Sequence, residues 1–189
     1  MKVLIVGNGL AGTMAAKTLR ELDPAVEIHV FAEEKYPYYP RPNLIEYLAG
    51  RLPYERIFAF SEEWHVRQNI HMHLGAPAKK IWPNSQEVEL AGGRREKYDI
   101  LLLATGAASF VPPLKGADKR GVFTLRTLDD ALAILEHLKE HPQVAIIGGG
   151  LLGLEIARAL KSRGADVDVL EFFDRLLPLH VDAYGATLL

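Results

Sequence analysis

The amino-acid sequence predicts an α/β fold in which a three-layer, parallel-sheet unit occurs twice. Three observations predict it: short β-branched runs that end in glycine turns, helical apolar spacing straight after each turn, and the return of the whole pattern 141 positions later, Gly7 to Gly148. In the first copy, residues 3–6 (VLIV) are the kind of run that is buried on both faces of a parallel sheet, and they end in Gly7-Asn8-Gly9. From Leu10 the spacing of Met14, Ala15, Leu19 and Leu22 is helical, and Asp23-Pro24 stops it. Residues 26–31 follow as a second strand with Val26, Ile28 and Val30 alternating, which completes a β-α-β unit.

Residues 36–42 (YPYYPRP) hold too much proline for a regular element and predict a semi-extended loop leading to a short helix over 43–49. Residues 69–74, 78–82 and 87–90 read as short strands of a hairpin or three-stranded meander, with Gly92-Gly93 as a turn. Residues 98–104 form another buried strand, closed by Thr105-Gly106, and Val111-Pro112-Pro113 with Gly116 marks a crossing between domains. The second copy comprises an amphipathic helix over 127–140, a strand over 144–147, the turn Gly148-Gly149-Gly150, a helix over 151–162 and a strand over 167–171.

Composition narrows the function classes. Hydrophobic residues make up 49% and charged ones 24%, with a net charge of -2 and no basic tract, so a nucleic-acid backbone is not an expected partner. The longest apolar runs fall far short of the roughly 20 residues that span a bilayer, and no secretory leader is legible, so a cytoplasmic protein is expected. There is no cysteine, which excludes thiolate nucleophiles, disulfides and cysteine-ligated metal from this chain.

The glycine turns carry the chemistry. Gly7, Gly9 and Gly12 form G-x-G-x-x-G between strand and helix: the first permits a tight turn, the second lets a pyrophosphate approach the backbone, and the third packs the helix on the sheet. Asn8, Leu10 and Ala11 complete that turn at the helix N-terminus, where free N–H groups and the dipole favour anions. Glu33, with Glu34 beside it, ends the second strand 26 positions after Gly7, near the distance expected of a carboxylate that accepts from ribose hydroxyls. Gly148, Gly150 and Gly153 repeat the motif around Leu151 and Leu152, and Glu171 follows 23 positions after Gly148. A carboxylate there favours NAD over NADP by repelling a 2′-phosphate, an inference that Arg175 would weaken if it turned back over the ribose. Two Rossmann-like sites imply two dinucleotides, and the economical use of two is a relay in which one delivers hydride to the other.

At these residues the sequence resembles the FAD-dependent pyridine nucleotide-disulfide oxidoreductase superfamily, in which an NAD domain is inserted into an FAD domain. The resemblance implies that residues 1–110 are the first segment of the FAD domain, with a small meander at about 77–90, and that 111–189 begin the NAD(H) domain. It implies FAD at Gly7, Gly9, Gly12 and Glu33, at Ala104-Thr105-Gly106 and at Ala78. It implies NADH at the second motif, with Glu155 near the nicotinamide and flavin in the catalytic position. In place of the cysteines of the disulfide, peroxidase and oxidase types, the chain has Tyr38-Tyr39-Pro40-Arg41-Pro42-Asn43-Leu44. That segment is similar to the Y-x-R-P-x-L stretch of reductases serving rubredoxin, ferredoxin and the flavin part of nitrite reductases, NADH:rubredoxin reductase being the nearest type, and it would bring Arg41 to the FAD. The implied activity is transfer of electrons from NADH through FAD to a redox protein or an attached redox centre. A non-catalytic nucleotide-binding fragment, one part of a split enzyme, and an NADH oxidase are the alternatives.

The sequence departs from the pattern at Ile45 and Glu46, where many relatives place a lysine by the flavin, and at Ser109-Phe110, where many have Pro-Arg. The later flavin-holding segment and the interface domain of the superfamily do not follow, and 185–189 read as a helix that ought to continue. The expectation is a truncated product or one piece of a split protein, unstable or oligomeric by itself. Among the remaining residues, His71 and His73 read as solvent-facing side chains of one strand face more readily than as a metal site. Trp64 and Trp82 read as core, Tyr36, Tyr38 and Tyr39 as either a flavin wall or a cover for the sheet, and 94–97 as a solvated turn.

Overall fold

In chain order the computed structural model, which describes residues 1–189, contains β1 (Lys2–Val6), α1 (Leu10–Leu22), β2 (Glu27–Phe31), α2 (Asn43–Leu48), α3 (Glu62–Arg67), β3 (Ile70–His73), β4 (Ala78–Trp82), β5 (Glu87–Leu90), β6 (Arg95–Lys97) and β7 (Ile100–Leu103). There follow α4 (Leu128–Leu138), β8 (Gln143–Ile147), α5 (Leu151–Ser162), β9 (Asp166–Leu170) and α6 (Ala183–Thr187). The chain packs as two units, Met1–Pro40 with Phe58–Ala108, and Arg41–Ile57 with Ser109–Leu189. The stretch 41–57, which the sequence reading keeps within 1–110, packs with the second unit.

The first unit is built on a parallel sheet of order β3-β2-β1-β7. Alternate residues of these strands serve two cores. Val3, Ile5, Ile28, Val30 and Ile70 pack with Ala16 of α1 and Trp64 of α3 on one face. Leu4, Val6 and Phe31 pack with Val88 and Leu90 of β5 on the other. Burial on both faces is why β1 reads as an unbroken apolar run, and each such side chain contributes about 1.5–3 kcal/mol. Arg20, near the end of α1, donates to the carbonyls of Gln68, Asp23, Pro24, Val26 and Asn69, tying the α1–β2 turn to the start of β3.

Three sequence expectations change here. Residues 70–73 join the main sheet parallel to β2 and not the meander, because α3, which the sequence reading passed over, supplies the crossover helix that a parallel strand needs. The meander is instead β4-β5-β6. Its third strand is 95–97, expected as a solvated turn: Glu87 faces Lys97 and Glu89 faces Arg95 across the ladder, so the alternating charges are cross-strand partners. Third, the histidine face is not simply solvated. His73 is half-buried and stacks on Phe31 at 4.2 Å, and its Nε2 lies 2.9 Å from Nδ1 of His29, whose Nε2 lies 2.8 Å from Glu27. No group of three or more His, Cys, Asp or Glu side chains could hold a metal ion.

In the second unit β8 and β9 pair in parallel and α5 covers one face with Ala159 and Leu160. Thr127 and Asp130 form a capping box at the start of α4, whose Leu128 and Ala131 are fully buried. The helix at 183–187 is capped at its start by the Asp182 side chain. No helix is long and apolar enough to cross a membrane.

Candidate functional site: two glycine turns of one design

Each unit carries one of the turns, and the two agree in detail. Gly7 has φ +113° and Gly148 +111°, the left-handed region that a side chain would strain. Each donates its N–H to the last residue of the neighbouring strand at 2.8 Å, Phe31 in one and Leu170 in the other. A Cβ on Gly12 would lie 2.0 Å from the Gly7 carbonyl oxygen, and one on Gly153 would lie 2.0 Å from that of Gly148. The first and third glycines are thus demanded by the fold itself.

The middle glycines are not. Gly9 (φ −82°, ψ −170°) and Gly150 (φ −78°, ψ 179°) have extended backbone that any residue adopts, and a Cβ at either would meet nothing within 4 Å. Both are helix N-caps without a side-chain cap, and the first turns of α1 and α5 carry no acidic residue. By contrast Ser61, Thr127 and Asp182 cap α3, α4 and α6 with side-chain oxygens. The N–H groups that open α1 and α5 are left for an external acceptor, and the missing Cβ leaves room for it. A dinucleotide pyrophosphate fits both observations.

Around the first turn, buried Thr13 donates through Oγ1 to Asn8 Oδ1 at 3.1 Å, and Asn8 Nδ2 donates to the Tyr36 carbonyl at 3.4 Å, so the turn is fastened to the tyrosine loop. Leu10 and Ala11 are exposed on the first turn of α1. The two acids after β2 separate by role. Glu34 accepts from the hydroxyl of buried Tyr39, whereas Glu33 is exposed. Tyr38 and Tyr39 are 8% and 4% exposed, so these two rings fill the interior of their loop. The A-T-G segment abuts the turn: a Cβ on Gly7 would lie 2.1 Å from the Ala104 carbonyl oxygen, and Gly106 takes φ +70°. Ala78 opens β4 opposite Leu90, two residues beyond Ala76, whose N–H donates to Ala32 at the end of β2. Trp64 stacks on Phe60 at 4.2 Å beside the core, and Trp82 lies under Lys80 and Arg95.

Around the second turn, Gly149 stands where the first has Asn8, and a Cβ on it would lie 2.6 Å from Leu176 and 3.1 Å from Glu171. Glu171 fills that space: Oε1 accepts from Phe173 N at 2.9 Å and Oε2 from Gly149 N at 2.6 Å. These two N–H groups, Phe173 first, hold its carboxyl below the usual carboxylate range. Leu177, at φ +48°, donates its N–H to the Gly149 carbonyl at 3.0 Å, which folds 172–177 back on the turn. Arg175 donates to the Pro178 carbonyl at 3.3 Å, so the contact it makes is with its own loop. Exposed Leu151 and Leu152 flank the opening of α5. Glu155, one turn along α5, pairs with Arg158 at 2.6 Å. Arg41 donates to the Arg126 carbonyl at 2.8 Å within the second unit. The sequence reading missed Arg158 and Thr13; a buried threonine five positions after Asn8 has no sequence signature, whereas Arg158 stands at the helical i,i+3 spacing from Glu155.

The family model for pyridine nucleotide-disulphide oxidoreductases matches residues 1–188. The chain belongs to that family. A nitrite reductase [NAD(P)H] of Bacillus subtilis is 34% identical over 100% of this chain and 24% of its own length. Among solved structures, the NAD-dependent persulfide reductase from A. fulgidus superposes with a TM-score of 0.93 at 31% identity, over 100% of this chain and 37% of that one. The NADH:rubredoxin oxidoreductase from Clostridium acetobutylicum superposes with a TM-score of 0.89 at 31% identity, over 98% and 48%. The family's doubly Rossmann-like fold is therefore the fold of this chain, which spans less than half the length of each of these three proteins. It is a member without cysteine, so the disulphide chemistry in the family's name has no donor here.

Proposed function

We propose that this chain forms the paired nucleotide sites of an FAD-dependent NADH oxidoreductase that delivers electrons to a redox protein or an attached redox centre. The observation that carries the reading is that Gly9 and Gly150 lack a Cβ for no reason internal to the fold, at the two helices that begin with neither a side-chain cap nor an acid. FAD belongs at the first turn. The backbone N–H groups that open α1 receive its pyrophosphate, Glu33 accepts from its adenosine ribose, and Ala78, Ala104, Thr105 and Gly106 complete its surroundings in the first unit. Glu34 acts through Tyr39, holding the tyrosine loop in place. NADH belongs at the second, with its pyrophosphate over Gly148, Gly150, Leu151, Leu152 and Gly153. The domain division that follows is an FAD segment in 1–110 and an NAD(H) segment in 111–189, with 41–57 packed on the latter.

Preference for NADH rests on Glu171. Backbone N–H groups fix both of its oxygens, its remaining lone pairs can accept the 2′- and 3′-hydroxyls, and a 2′-phosphate would meet a carboxylate that cannot turn away. Bound together, the two groups supply hydride transfer between nicotinamide and flavin. The chain's residues contribute alignment and charge, since no cysteine is available to relay the electrons.

An absorbance spectrum of the purified protein, with FAD supplied, before and after anaerobic NADH tests this reading. A flavin band that bleaches with NADH is expected, with NADPH effective only at about tenfold higher concentration or more. A protein that retains no FAD and binds neither nicotinamide nucleotide would overturn it.

A further inference from the structure

The two glycine turns share their glycines and differ in the residues set among them. Position for position, Asn8 of the first corresponds to Gly149 of the second, and Thr13 to Leu154. Thr13 is 2% exposed and one of the three buried residues of α1. Leu154 fills the same place in α5 with an apolar side chain, so the architecture of the turn does not call for a hydroxyl there. A buried hydroxyl costs free energy unless a partner takes it. Its own helix offers the Gly9 carbonyl, which accepts from the Thr13 N–H at 3.0 Å, yet Oγ1 donates instead to Asn8 Oδ1 at 3.1 Å.

That bond bears on which way the Asn8 amide faces. With Oδ1 taken by the Thr13 hydroxyl, Nδ2 is directed at the Tyr36 carbonyl, 3.4 Å away. The reversed amide would set Oδ1 against that carbonyl, acceptor against acceptor. The second turn reaches the same result by other means. There the Leu177 N–H donates to the Gly149 carbonyl at 3.0 Å, and the Gly149 N–H donates to Glu171 Oε2 at 2.6 Å. In both units the loop after the second strand is tied back to the residue between the first two glycines. The tie at Asn8 lies beside the N–H groups that open α1, which no side chain caps. The far end of the tyrosine loop is held separately, by the Ala59 N–H donating to the Tyr38 carbonyl at 2.9 Å.

We propose that Thr13 and Asn8 form a latch: Thr13 is a positioning residue that holds the Asn8 amide toward the Tyr36 carbonyl, and residues 36–40 thereby stay closed beside the open start of α1. The latch belongs to the chain itself and operates with the turn empty or filled. Its consequence for a ligand rests on the assignment of FAD to the first turn. A loop that stays closed beside the pyrophosphate position slows the departure of FAD, and Thr13 sets how long it stays closed without touching the dinucleotide.

The test follows backbone hydrogen exchange, by mass spectrometry, of the peptide covering residues 33–40 in the FAD-free chain. Wild type is compared with Thr13→Val, Thr13→Ser, Asn8→Ala and the double variant Thr13→Val/Asn8→Ala. Valine keeps the shape of threonine without its hydroxyl, and Leu154 shows that an apolar side chain is accommodated at that place. Thr13→Val and Asn8→Ala should each speed exchange of the peptide about fivefold, the scale of one net hydrogen bond. Thr13→Ser should stay near wild type, and the double variant should exchange no faster than Asn8→Ala. With FAD bound, its dissociation rate should rise by a similar factor in the same variants. An unchanged peptide in Thr13→Val overturns the latch, as does an acceleration shared equally by α1 and β2, which would mean general loosening. Faster exchange with FAD release at the wild-type rate would keep the latch and overturn its part in retaining FAD. A wild type that takes up no FAD would defeat the assignment of the first turn, while the exchange measurement still decides the latch.

Discussion

A glycine can be demanded by the fold or by a ligand, and the two demands can be told apart one residue at a time. Gly12 and Gly153 leave 2.0 Å between a would-be Cβ and a backbone oxygen, which neither a rotamer change nor a small shift can relieve. Gly12→Ala should therefore destabilise the first unit by about 3 kcal/mol or more, at the severe end of overpacking. Gly9 and Gly150 have ordinary φ and open space. Gly9→Ala and Gly150→Ala should each leave stability within about 0.5 kcal/mol of wild type, since the lower entropy of the unfolded chain offsets any small cost. The same substitutions should weaken FAD and NADH binding, respectively, by tenfold or more. Thermal melts paired with nucleotide titrations separate the two classes, and a Gly9→Ala variant that binds FAD normally would sink the explanation given for its missing Cβ. Position and spacing make all six glycines legible in the sequence. Their division into structural and ligand-facing depends on where the Ala104, Gly7 and Gly148 carbonyls point, which no spacing encodes.

Among the elements, those with a repeating apolar signal were legible and those defined by their partners were not. The runs at β1 and β2 announce themselves because both faces of these strands meet a core, the run at β8 because its β-branched residues follow one another, and α1, α4 and α5 because one face of each helix is apolar. Strand β6 has no apolar residue to announce it; its signal is the complement between Arg95–Lys97 and Glu87–Leu90, visible only when the two are laid antiparallel. Strand β3 was recognised as a strand but placed in the wrong sheet, because four residues do not encode the direction of their neighbour. That placement has a measurable effect. On joining β2, His73 is brought against His29 and Phe31. Burial first, then the charge of His29 and of Arg94, lowers the His73 pKa below the ordinary 6.5, while Glu96 opposes the shift. Burial likewise lowers that of His65 on α3, against the opposing Ser61 carbonyl and Glu62. A depressed folded pKa means that the unfolded chain binds protons first. The stability these two groups protect is complete above about pH 6.5 and is lost as pH falls through their folded values. Urea melts from pH 8 to pH 5 should show the first unit weakening below about pH 6.5, ahead of any carboxylate titration, and His73→Gln should flatten part of that slope. A curve flat down to pH 5 would contradict the burial of both rings.

At the scale of the whole molecule the distribution of apolar surface makes its own demand. Strands β8 and β9 pair only with each other, and a two-stranded parallel sheet has an unpaired edge on either side. On the face that α5 leaves open, Ile147 and Leu170 stand opposite each other in register at 66% and 57% exposure. In the four-stranded sheet the edge strand β7 leaves Leu103 55% exposed. Apolar strand faces of this kind, next to unpaired backbone donors and acceptors, are what a further strand or a second copy covers. The expectation is that the 189-residue chain by itself associates in a concentration-dependent way. Light scattering behind size exclusion should give masses above 21.0 kDa that rise with loading. Replacing the facing pair by opposite charges, Ile147→Lys with Leu170→Glu, keeps a cross-strand attraction while making that face costly to bury. The double variant should run closer to a monomer with the second glycine turn intact, which NADH titration would register. A wild-type chain that stays at 21.0 kDa up to high concentration would mean that these faces are tolerated by water after all, and that neither sheet requires a further strand for its stability.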